Sequence, residues 1–139
     1  MSAAADCLFC KIARHEIPAN VVFEDERTVA FLDINPCSWG HTVVIAKLHS
    51  TGLTDLPPSE VTPLFTTVQR LADRLLEVLP AVGLTIGVNH GIGAGQMIQH
   101  LHVHLIPRYA GDGGRNVHSI VHQTPPESVE ATAKTLKLS

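Results

Sequence analysis

The residues best suited to chemistry form one short segment, Gln99 to Pro107, in which three histidines alternate with aliphatic residues. Successive side chains of a β-strand point to opposite faces, so an extended segment would place His100, His102 and His104 on one face. The aliphatic residues between them favour a strand, and Pro107 is expected to end it. Burying several imidazoles without partners is costly, so this pattern indicates a function rather than packing.

A single metal ion cannot explain all three histidines. His100 and His104 are four residues apart, which is about 13 Å along an extended strand. A zinc ion lies only about 2.0–2.1 Å from each histidine nitrogen that binds it. The two outer histidines therefore cannot bind the same ion unless the strand breaks, so the three histidines must divide between separate roles.

Two further stretches carry groups that could do chemistry. Cys7 and Cys10 have the Cys-x-x-Cys spacing of half a zinc site, although a redox pair or two small buried hydrophobic residues remain alternatives. The glycine-rich loop from His90 to Met97 could hold a phosphate through its backbone N–H groups, or it could be a plain hairpin loop. Close to histidines that can act as nucleophile or base, the loop favours an anion site.

Hydrophobic patterning predicts the elements that must position these groups. Apolar and β-branched runs predict strands at 21–24, 28–33, 41–46 and 83–89, besides the histidine strand. Residues 7–14 predict one or two helical turns, a long helix should begin between Ser59 and Thr62 and end at Pro80, and the tail is weakly helical over 127–136. The apolar face of the long helix, interpreted as core packing, comprises Val61, Leu64, Phe65, Val68, Leu71, Ala72, Leu75, Leu76 and Leu79. These elements predict an α+β domain.

Composition excludes several classes of protein. The chain has 139 residues, which suits one domain, and its net charge of −3 without a block of like charges argues against a nucleic-acid surface. Three cysteines are an odd number for a secreted disulfide framework, and residues 1–6 lack the pattern of a signal peptide. Because no apolar run is long enough to cross a bilayer, a cytoplasmic location is expected and no membrane partner.

Several chemically capable residues show no pattern. We expect these on the surface: His15, His90, His118, His122 and the thiol of Cys37. Trp39, the only tryptophan, could line a pocket or could simply pack.

The segment from His100 to Ile106 resembles the His-φ-His-φ-His-φ-φ signature of the histidine triad (HIT) superfamily. Further blocks agree in the family's order: Cys7 to Ile12, Phe31 to Pro36, Gly40 to Ile45, Val88-Asn89 and Gly95-Gln96. The chain is most similar to the nucleotide-binding hydrolase branch, because the related uridylyltransferases carry Gln at the position of His104. The resemblance implies a HIT-like fold with an antiparallel sheet of about five strands, one long helix and a short N-terminal helix. It also implies a homodimer of single-domain chains, each with a core of about residues 6–110 and a tail at 111–139.

The family's activity implies specific roles for these residues. Its members cleave at the α-phosphate of nucleoside phosphoramidates, dinucleoside polyphosphates or related adenylates, so an AMP-type purine nucleotide is the implied substrate. His102 would be the nucleophile and form a nucleotidyl-histidine, His104 would hydrogen-bond the phosphate or the bridging atom, and His41 would support them. Asp33 matches the ribose-binding acid. The base pocket would comprise Phe9, Ile12, Phe31 and Ile34, and the phosphate and leaving-group contacts Asn89, Gly95, Gln96 and Met97.

The resemblance also implies a structural zinc ion, with no metal needed for the chemical step. Its ligands would be Cys7, Cys10, His49 and His100, and the strand would have to twist at its start to turn His100 toward the cysteines.

Two positions depart from the family pattern. Met97 stands where many members carry Ser or Thr, which removes a side-chain donor, and Ala46 replaces a proline. Two other functions remain in competition with a hydrolase, and Met97 is the feature that favours the first of them. One is a nucleotide-binding or sensing protein with little turnover, and the other is a metalloprotein whose histidines hold a catalytic zinc ion.

Overall fold

The centre of the chain is a five-stranded antiparallel sheet with the order β1-β2-β3-β5-β4. The computed structural model describes residues 6–138. Residues 1–5, which the sequence analysis considered for a signal peptide, lie outside this range. The strands are β1 (Val21–Glu24), β2 (Thr28–Leu32), β3 (Thr42–Ala46), β4 (Gly83–Gly87) and β5 (Val103–Arg108). The helices are α1 (Leu8–Ala13), α2 (Pro58–Val78) and α3 (Val129–Leu136). This confirms the predicted α+β fold with one long helix and a short N-terminal helix.

The two faces of the sheet are covered by different helices. Helix α2 packs on one face, where Val44, Val103 and Leu105 meet Leu64 and Leu71 in a buried cluster. Helix α1 covers part of the other face, with Phe9 and Ile12 against β2 and β3. Among residues 6–138, no helix is long and apolar enough to cross a membrane.

The face that carries α1 stays partly open over β5 and β4. Along β5, Val103, Leu105 and Pro107 are buried, whereas His104, Ile106 and Arg108 alternate with them and are only half-buried. This alternation follows from the period of two in a strand, which sends successive side chains to opposite faces. The open part of the face therefore presents a histidine, an isoleucine and an arginine in one row.

The predicted histidine strand is wrong at both ends. Strand β5 begins at Val103, so His100 and His102 precede it in an irregular segment and do not share a strand face with His104. Pro107 does not end the strand, because β3 pairs with β5 only as far as Leu105 and so leaves no ladder partner on that side of Pro107. The Pro107 carbonyl instead accepts a hydrogen bond from a side-chain hydroxyl, Ser38 Oγ.

Other boundaries differ from the predicted ones by a few residues. Strand β2 ends before Asp33 and β3 begins after His41, which leaves both side chains at strand ends. Helix α2 begins earlier than expected, at Pro58, where the missing N–H of proline has no intrahelical partner to lose. Strand β4 ends at Gly87 rather than at residue 89, and α3 begins at Val129 rather than at residue 127.

The apolar face of α2 is wider than the core needs. Leu64, Val68, Leu71 and Leu75 are buried as predicted. The interpretation as core packing is wrong for Val61, Phe65 and Leu76, which are exposed. At 100° per residue these three lie side by side, next to the buried stripe. The helix therefore shows a second apolar stripe to solvent.

Candidate functional site

Four potential metal ligands meet where α1, the segment after β3 and the segment before β5 converge. The ligand atoms of Cys7, Cys10, His49 and His100 all lie within 4.8 Å of one another. Cys7 precedes α1 and accepts a hydrogen bond from the Cys10 amide, which places the two sulfurs on one side of the first turn. The break before β5 allows His100 to reach this group, because the chain there is free of the sheet's alternation.

The distances within this group fit a tetrahedral zinc ion. Two nitrogens on one zinc ion lie about 3.3 Å apart, and a nitrogen and a sulfur about 3.6 Å apart. The Nδ1 atoms of His49 and His100 are 3.3 Å apart, and three nitrogen–sulfur pairs span 3.3 to 3.4 Å. His100 Nε2 donates to the Ala46 carbonyl at 2.8 Å, so Nδ1 presents a lone pair to the group. Burial raises the pKa of Cys10 to about 12, so its thiolate needs a cation beside it. The donor set suits a closed structural zinc site better than a redox pair.

His102 is oriented by a backbone carbonyl. Its Nδ1 lies 2.7 Å from the carbonyl oxygen of His100, which can only accept, so Nδ1 carries the proton. In the neutral ring the lone pair is then at Nε2. The ring is nearly buried and packs edge-on against Phe9, with centroids 5.1 Å apart. His102 is thereby held with one nitrogen able to act as a nucleophile.

A chain of hydrogen bonds fixes the proton on His104. The Cys37 amide donates to His41 Nδ1 at 3.0 Å, so His41 carries its proton on Nε2. That proton points to His104 Nδ1 at 2.9 Å, so the His104 proton is on Nε2. The rings of His102 and His104 have centroids 4.9 Å apart. The site therefore pairs a lone pair on His102 with an N–H donor on His104.

Burial keeps the supporting histidines neutral at physiological pH. Burial, together with the neighbouring His102 and His41, lowers the pKa of His104 to about 4. Burial also lowers the pKa of His41, although the charge of Asp33 acts in the opposite direction. The chain of hydrogen bonds needs both rings neutral, because a protonated His104 would turn its acceptor nitrogen into a donor facing another donor.

Asp33, His41 and His104 form a second group of potential metal ligands. The nitrogens of the two histidines are 2.9 Å apart, which is a hydrogen-bond distance and shorter than the about 3.3 Å expected of two nitrogens on one zinc ion. Asp33 Oδ2 lies 3.6 Å from His41 Nε2. We interpret this group as a hydrogen-bonded support for His104 rather than a metal centre.

The residues predicted to hold a nucleotide base divide into a buried wall and an exposed edge. Phe9, Ile12 and Phe31 are buried, with the two phenylalanine rings in edge contact at 5.3 Å. Ile34 is 83% exposed and lies just beyond β2, beside Asp33. Asp33 is half-buried and accepts a hydrogen bond from the Asn35 amide, which leaves Oδ2 at the edge of the histidine group.

The glycine-rich loop contains a short 3₁₀ turn, Ile92–Ala94, and is held from inside by Gln96. The buried Gln96 side chain accepts from the Gly91 amide at 2.8 Å and donates to the carbonyls of Thr51 and Ile98 at 2.6 and 3.0 Å. Met97 is 89% exposed, and Asn89 is exposed as well. The Gln96 side chain therefore supports the loop from inside, the Gly95 and Gln96 backbone amides donate to carbonyls within the loop, and the Met97 side chain faces outward.

The remaining candidates lie on the surface. His15, His90, His118 and His122 are exposed as expected, and so is Cys37, although its amide supports His41. Trp39 is exposed, stacks on Tyr109 at 6.0 Å, and lines a shallow cavity of about 270 Å³ beside Asp33 and His41.

Comparison with protein families matches residues 14–111 to the HIT domain. The chain belongs to the HIT family. A HIT-like protein of Methanocaldococcus jannaschii is 46% identical over 107 residues, which is 77% of this chain and 82% of that protein. An Arabidopsis thaliana protein named adenylylsulfatase is 39% identical over 77% of this chain, which spans about half of that protein's length (54%).

A solved structure of a zinc-bound family member also resembles this chain. The crystal structure of a zinc-bound histidine triad family protein from Mycobacterium smegmatis matches with a TM-score of 0.72 and 37% identity. The match covers 89% of this chain and 86% of the other.

Three contributions to this site come from groups that the sequence pattern does not mark. The Ala46 carbonyl fixes His100, the Cys37 amide fixes His41, and the Gln96 side chain holds the loop. The first two are backbone groups, so no residue type signals them. The Gln96 side chain was expected among the phosphate and leaving-group contacts, and its role inside the loop depends on packing that its residue type does not signal.

Proposed function

We propose that this HIT protein hydrolyses nucleotides at the α-phosphate through a covalent intermediate on His102. The observation that carries the proposal is the pairing of a lone pair on His102 Nε2 with an N–H donor on His104 Nε2, each fixed by its own hydrogen bonds. Attack by Nε2 forms a nitrogen–phosphorus bond, and the leaving group departs with the electron pair of the bond that breaks. Water then cleaves the nitrogen–phosphorus bond, which releases AMP and restores the imidazole.

His104 and the loop would stabilise charge on the phosphate. Phosphoryl transfer depends mainly on positioning and on donors aimed at the phosphate oxygens. The His104 N–H and the Met97 amide can supply those donors, whereas the Gly95 and Gln96 amides already donate to the Ile92 and Gly91 carbonyls within the loop; His41 holds the His104 proton in place. Met97 brings no hydroxyl to this side, so leaving groups that need a side-chain proton donor there should react more slowly.

The proposed substrate is an AMP-type nucleotide. Phe9, Ile12, Phe31 and Ile34 would contact the base, while Asp33 would accept from the ribose hydroxyls with an oxygen at the edge of the histidine group. The relative named adenylylsulfatase supports an adenylate with an acidic leaving group as one candidate class.

Zinc is the metal that we propose for the Cys7, Cys10, His49 and His100 group. Its ligands are all provided by the protein, so the ion would be structural. It would also act on the site indirectly, because His100 provides both a ligand and the carbonyl that orients His102. A paired thiolate site suits a reducing compartment, and a cytoplasmic location is part of the proposal.

The homodimer belongs to the proposal as well. Strand β4 is an edge strand with unpaired backbone groups on its outer side. Ile86 on β4 is exposed and points to the face of the sheet that carries α2, as shown by its pairing with buried Leu105. Arg70 of α2 packs over Phe23 of β1, at one edge of the sheet. The exposed stripe lies on the other side of the helix and therefore faces β4, at the opposite edge; it comprises Val61, Phe65 and Leu76. A second copy could cover this continuous apolar surface.

The test uses adenosine phosphoramidate and diadenosine tetraphosphate with wild-type protein, His102→Ala and the surface control His118→Ala. AMP release should be abolished in His102→Ala and unchanged in the control, and intact-mass spectrometry of wild-type protein should detect a nucleotidyl adduct on His102. Unchanged turnover in His102→Ala would refute the mechanism. Tight AMP binding without turnover of any substrate by the wild type would instead favour a nucleotide sensor.

A further inference from the structure

The hydrogen bond between His41 and His104 can form with the proton on either ring. The two nitrogens that it joins are 2.9 Å apart, and a neutral imidazole can be donor or acceptor at each of them. If His104 Nδ1 carried the proton, His104 Nε2 would present a lone pair where the proposed mechanism needs an N–H donor. That lone pair would repel a phosphate oxygen, so only one of the two proton arrangements suits the reaction.

The Cys37 amide selects the productive arrangement. It donates to His41 Nδ1 at 3.0 Å, and in the reverse arrangement two N–H groups would face each other there. The Asp33 carboxylate favours a proton on His41 Nε2, but at 3.6 Å it lies beyond hydrogen-bond distance. The position of the proton on His104 therefore depends on where the backbone of Cys37 is held.

Little packing holds the loop that carries this amide. The side chains of residues 34–37 are exposed. A turn closes the loop, in which the His41 amide donates to the Ser38 carbonyl at 3.1 Å. Gly40 within this turn has a φ of 91°, a conformation that favours glycine, and lies against Pro107. With few buried contacts, the position of the loop depends on individual hydrogen bonds.

Two side-chain hydroxyl groups join this loop to the end of β5. Ser38 Oγ donates to the Pro107 carbonyl at 2.7 Å, and the Tyr109 hydroxyl donates to the Trp39 carbonyl at 2.6 Å. The rings of Tyr109 and Trp39 also stack, with centroids 6.0 Å apart and planes 14° apart. Ser38 and Trp39 are the two residues that follow Cys37, so both bonds hold the chain close to the amide. The end of β5 therefore fixes the loop, while the start of the same strand carries the histidine whose proton the loop sets.

From this geometry, in an inference that rests on the proposed hydrolase function, we infer that Ser38 and Tyr109 are positioning residues for His104. Both act through the loop rather than on the substrate. By holding the Cys37 amide on His41, they keep the proton on His104 Nε2. When the amide moves away, the shared proton can cross from His41 to His104, water accepts the Nε2 proton of His104, and water returns one proton to His41 Nδ1. Both rings stay neutral in this exchange, but the donor that faces the phosphate is lost.

Nitrogen-15 NMR tests this inference without turnover, because the chemical shift of an imidazole nitrogen shows whether it is protonated. The variants are Ser38→Ala, Tyr109→Phe, which keeps the ring stack, and the double variant. In wild-type protein, Nδ1 of both His41 and His104 should have the shift of an acceptor nitrogen. Two hydroxyl hydrogen bonds correspond to about a tenfold change in an equilibrium constant, so in the double variant both shifts should move toward those of a protonated nitrogen. Unchanged shifts in the double variant would overturn the inference.

Thr67→Val is the matched control for a general loss of stability. It removes a buried hydroxyl hydrogen bond of 2.7 Å, to Thr28, which joins α2 to β2. The control should lower the Tm, as the test variants do, and leave the histidine shifts unchanged. A similar movement of the shifts in the control would show a general loosening of the fold and would count against specific positioning.

Steady-state kinetics with adenosine phosphoramidate tests the consequence for the reaction. The double variant should lower kcat about tenfold, since it acts on a donor to the reacting phosphate. In a His41→Ala background the same two substitutions should change kcat less than about twofold, because their effect passes through His41. Equal losses in the two backgrounds would contradict this route. If wild-type protein turns over no substrate, the hydrolase proposal fails, while the NMR comparison still decides the role of the two hydroxyls.

Discussion

The support of the glycine-rich loop by Gln96 gives a prediction whose size follows from the structure. Gln96→Ala removes three hydrogen bonds, to the Gly91 amide and to the carbonyls of Thr51 and Ile98. The side chain is buried, so water replaces these partners poorly. Each such bond contributes about 0.5–1.5 kcal/mol, and the three together predict a loss of roughly 2–4 kcal/mol. For a chain of this length, that lowers the Tm by roughly 10 °C.

Urea and thermal unfolding followed by circular dichroism would measure this loss. The matched control is Gln99→Ala. It removes one hydrogen bond, from the exposed Gln99 side chain to the Gln96 carbonyl, and should change the free energy of unfolding by at most about 1 kcal/mol. Because the same loop is proposed to contact phosphate, Gln96→Ala should also raise KM more than it lowers kcat. Equal stability of the two variants would refute the support role of Gln96.

Gln96→Glu makes the same argument depend on pH. The new carboxylate would still accept from the Gly91 amide, but its other oxygen would face the Thr51 and Ile98 carbonyls with no hydrogen to donate, so burial and these acceptors should raise its pKa in the folded state. A raised folded-state pKa means that the variant is relatively stable below about pH 4.3, the unfolded-state value of Glu, and loses stability as pH rises through the folded-state value. A stability difference from wild type that does not vary with pH would contradict this environment.

Three further predictions concern the histidines, the metal group and the dimer. The folded-state pKa of His104 is about 4 and its ordinary value is 6.5, so the free energy of unfolding should fall as pH drops from 6.5 toward 4. His104→Gln should weaken this dependence of stability on pH in unfolding experiments. An unchanged dependence would argue against a buried neutral ring. Cys10→Ser should reduce bound zinc below one per chain and lower the Tm, with Cys37→Ser as the control that retains both; metal analysis showing full zinc in Cys10→Ser would reject the assignment. Leu76→Glu, in the exposed stripe of α2, should shift the protein toward monomer in sedimentation velocity, whereas exposed Val129→Glu on α3 should not, and a dimer that persists would place the interface elsewhere.

Local patterns in the sequence were enough for the elements themselves. The β-branched run at residues 42–46 and the turn at residues 25–27 specify neighbouring strands, because alternation and turn chemistry act over a few residues. The spacing of His100 and His104 also required a division of labour, since strand geometry separates them by about 13 Å. The resemblance to the HIT family named the same four metal ligands that the structure brings together.

Only the tertiary structure decided how that division is achieved. Cys7, His49 and His100 are far apart in sequence, so their convergence depends on how α1 and the two loops pack on the sheet. The break before β5 replaces the expected twist and frees His100 from the strand, which no local pattern could show because the segment alternates perfectly. The positions of the protons on His102 and His104 depend on carbonyl and amide groups that every residue carries. Side-chain type thus determined which groups are available, and long-range packing determined what each one does.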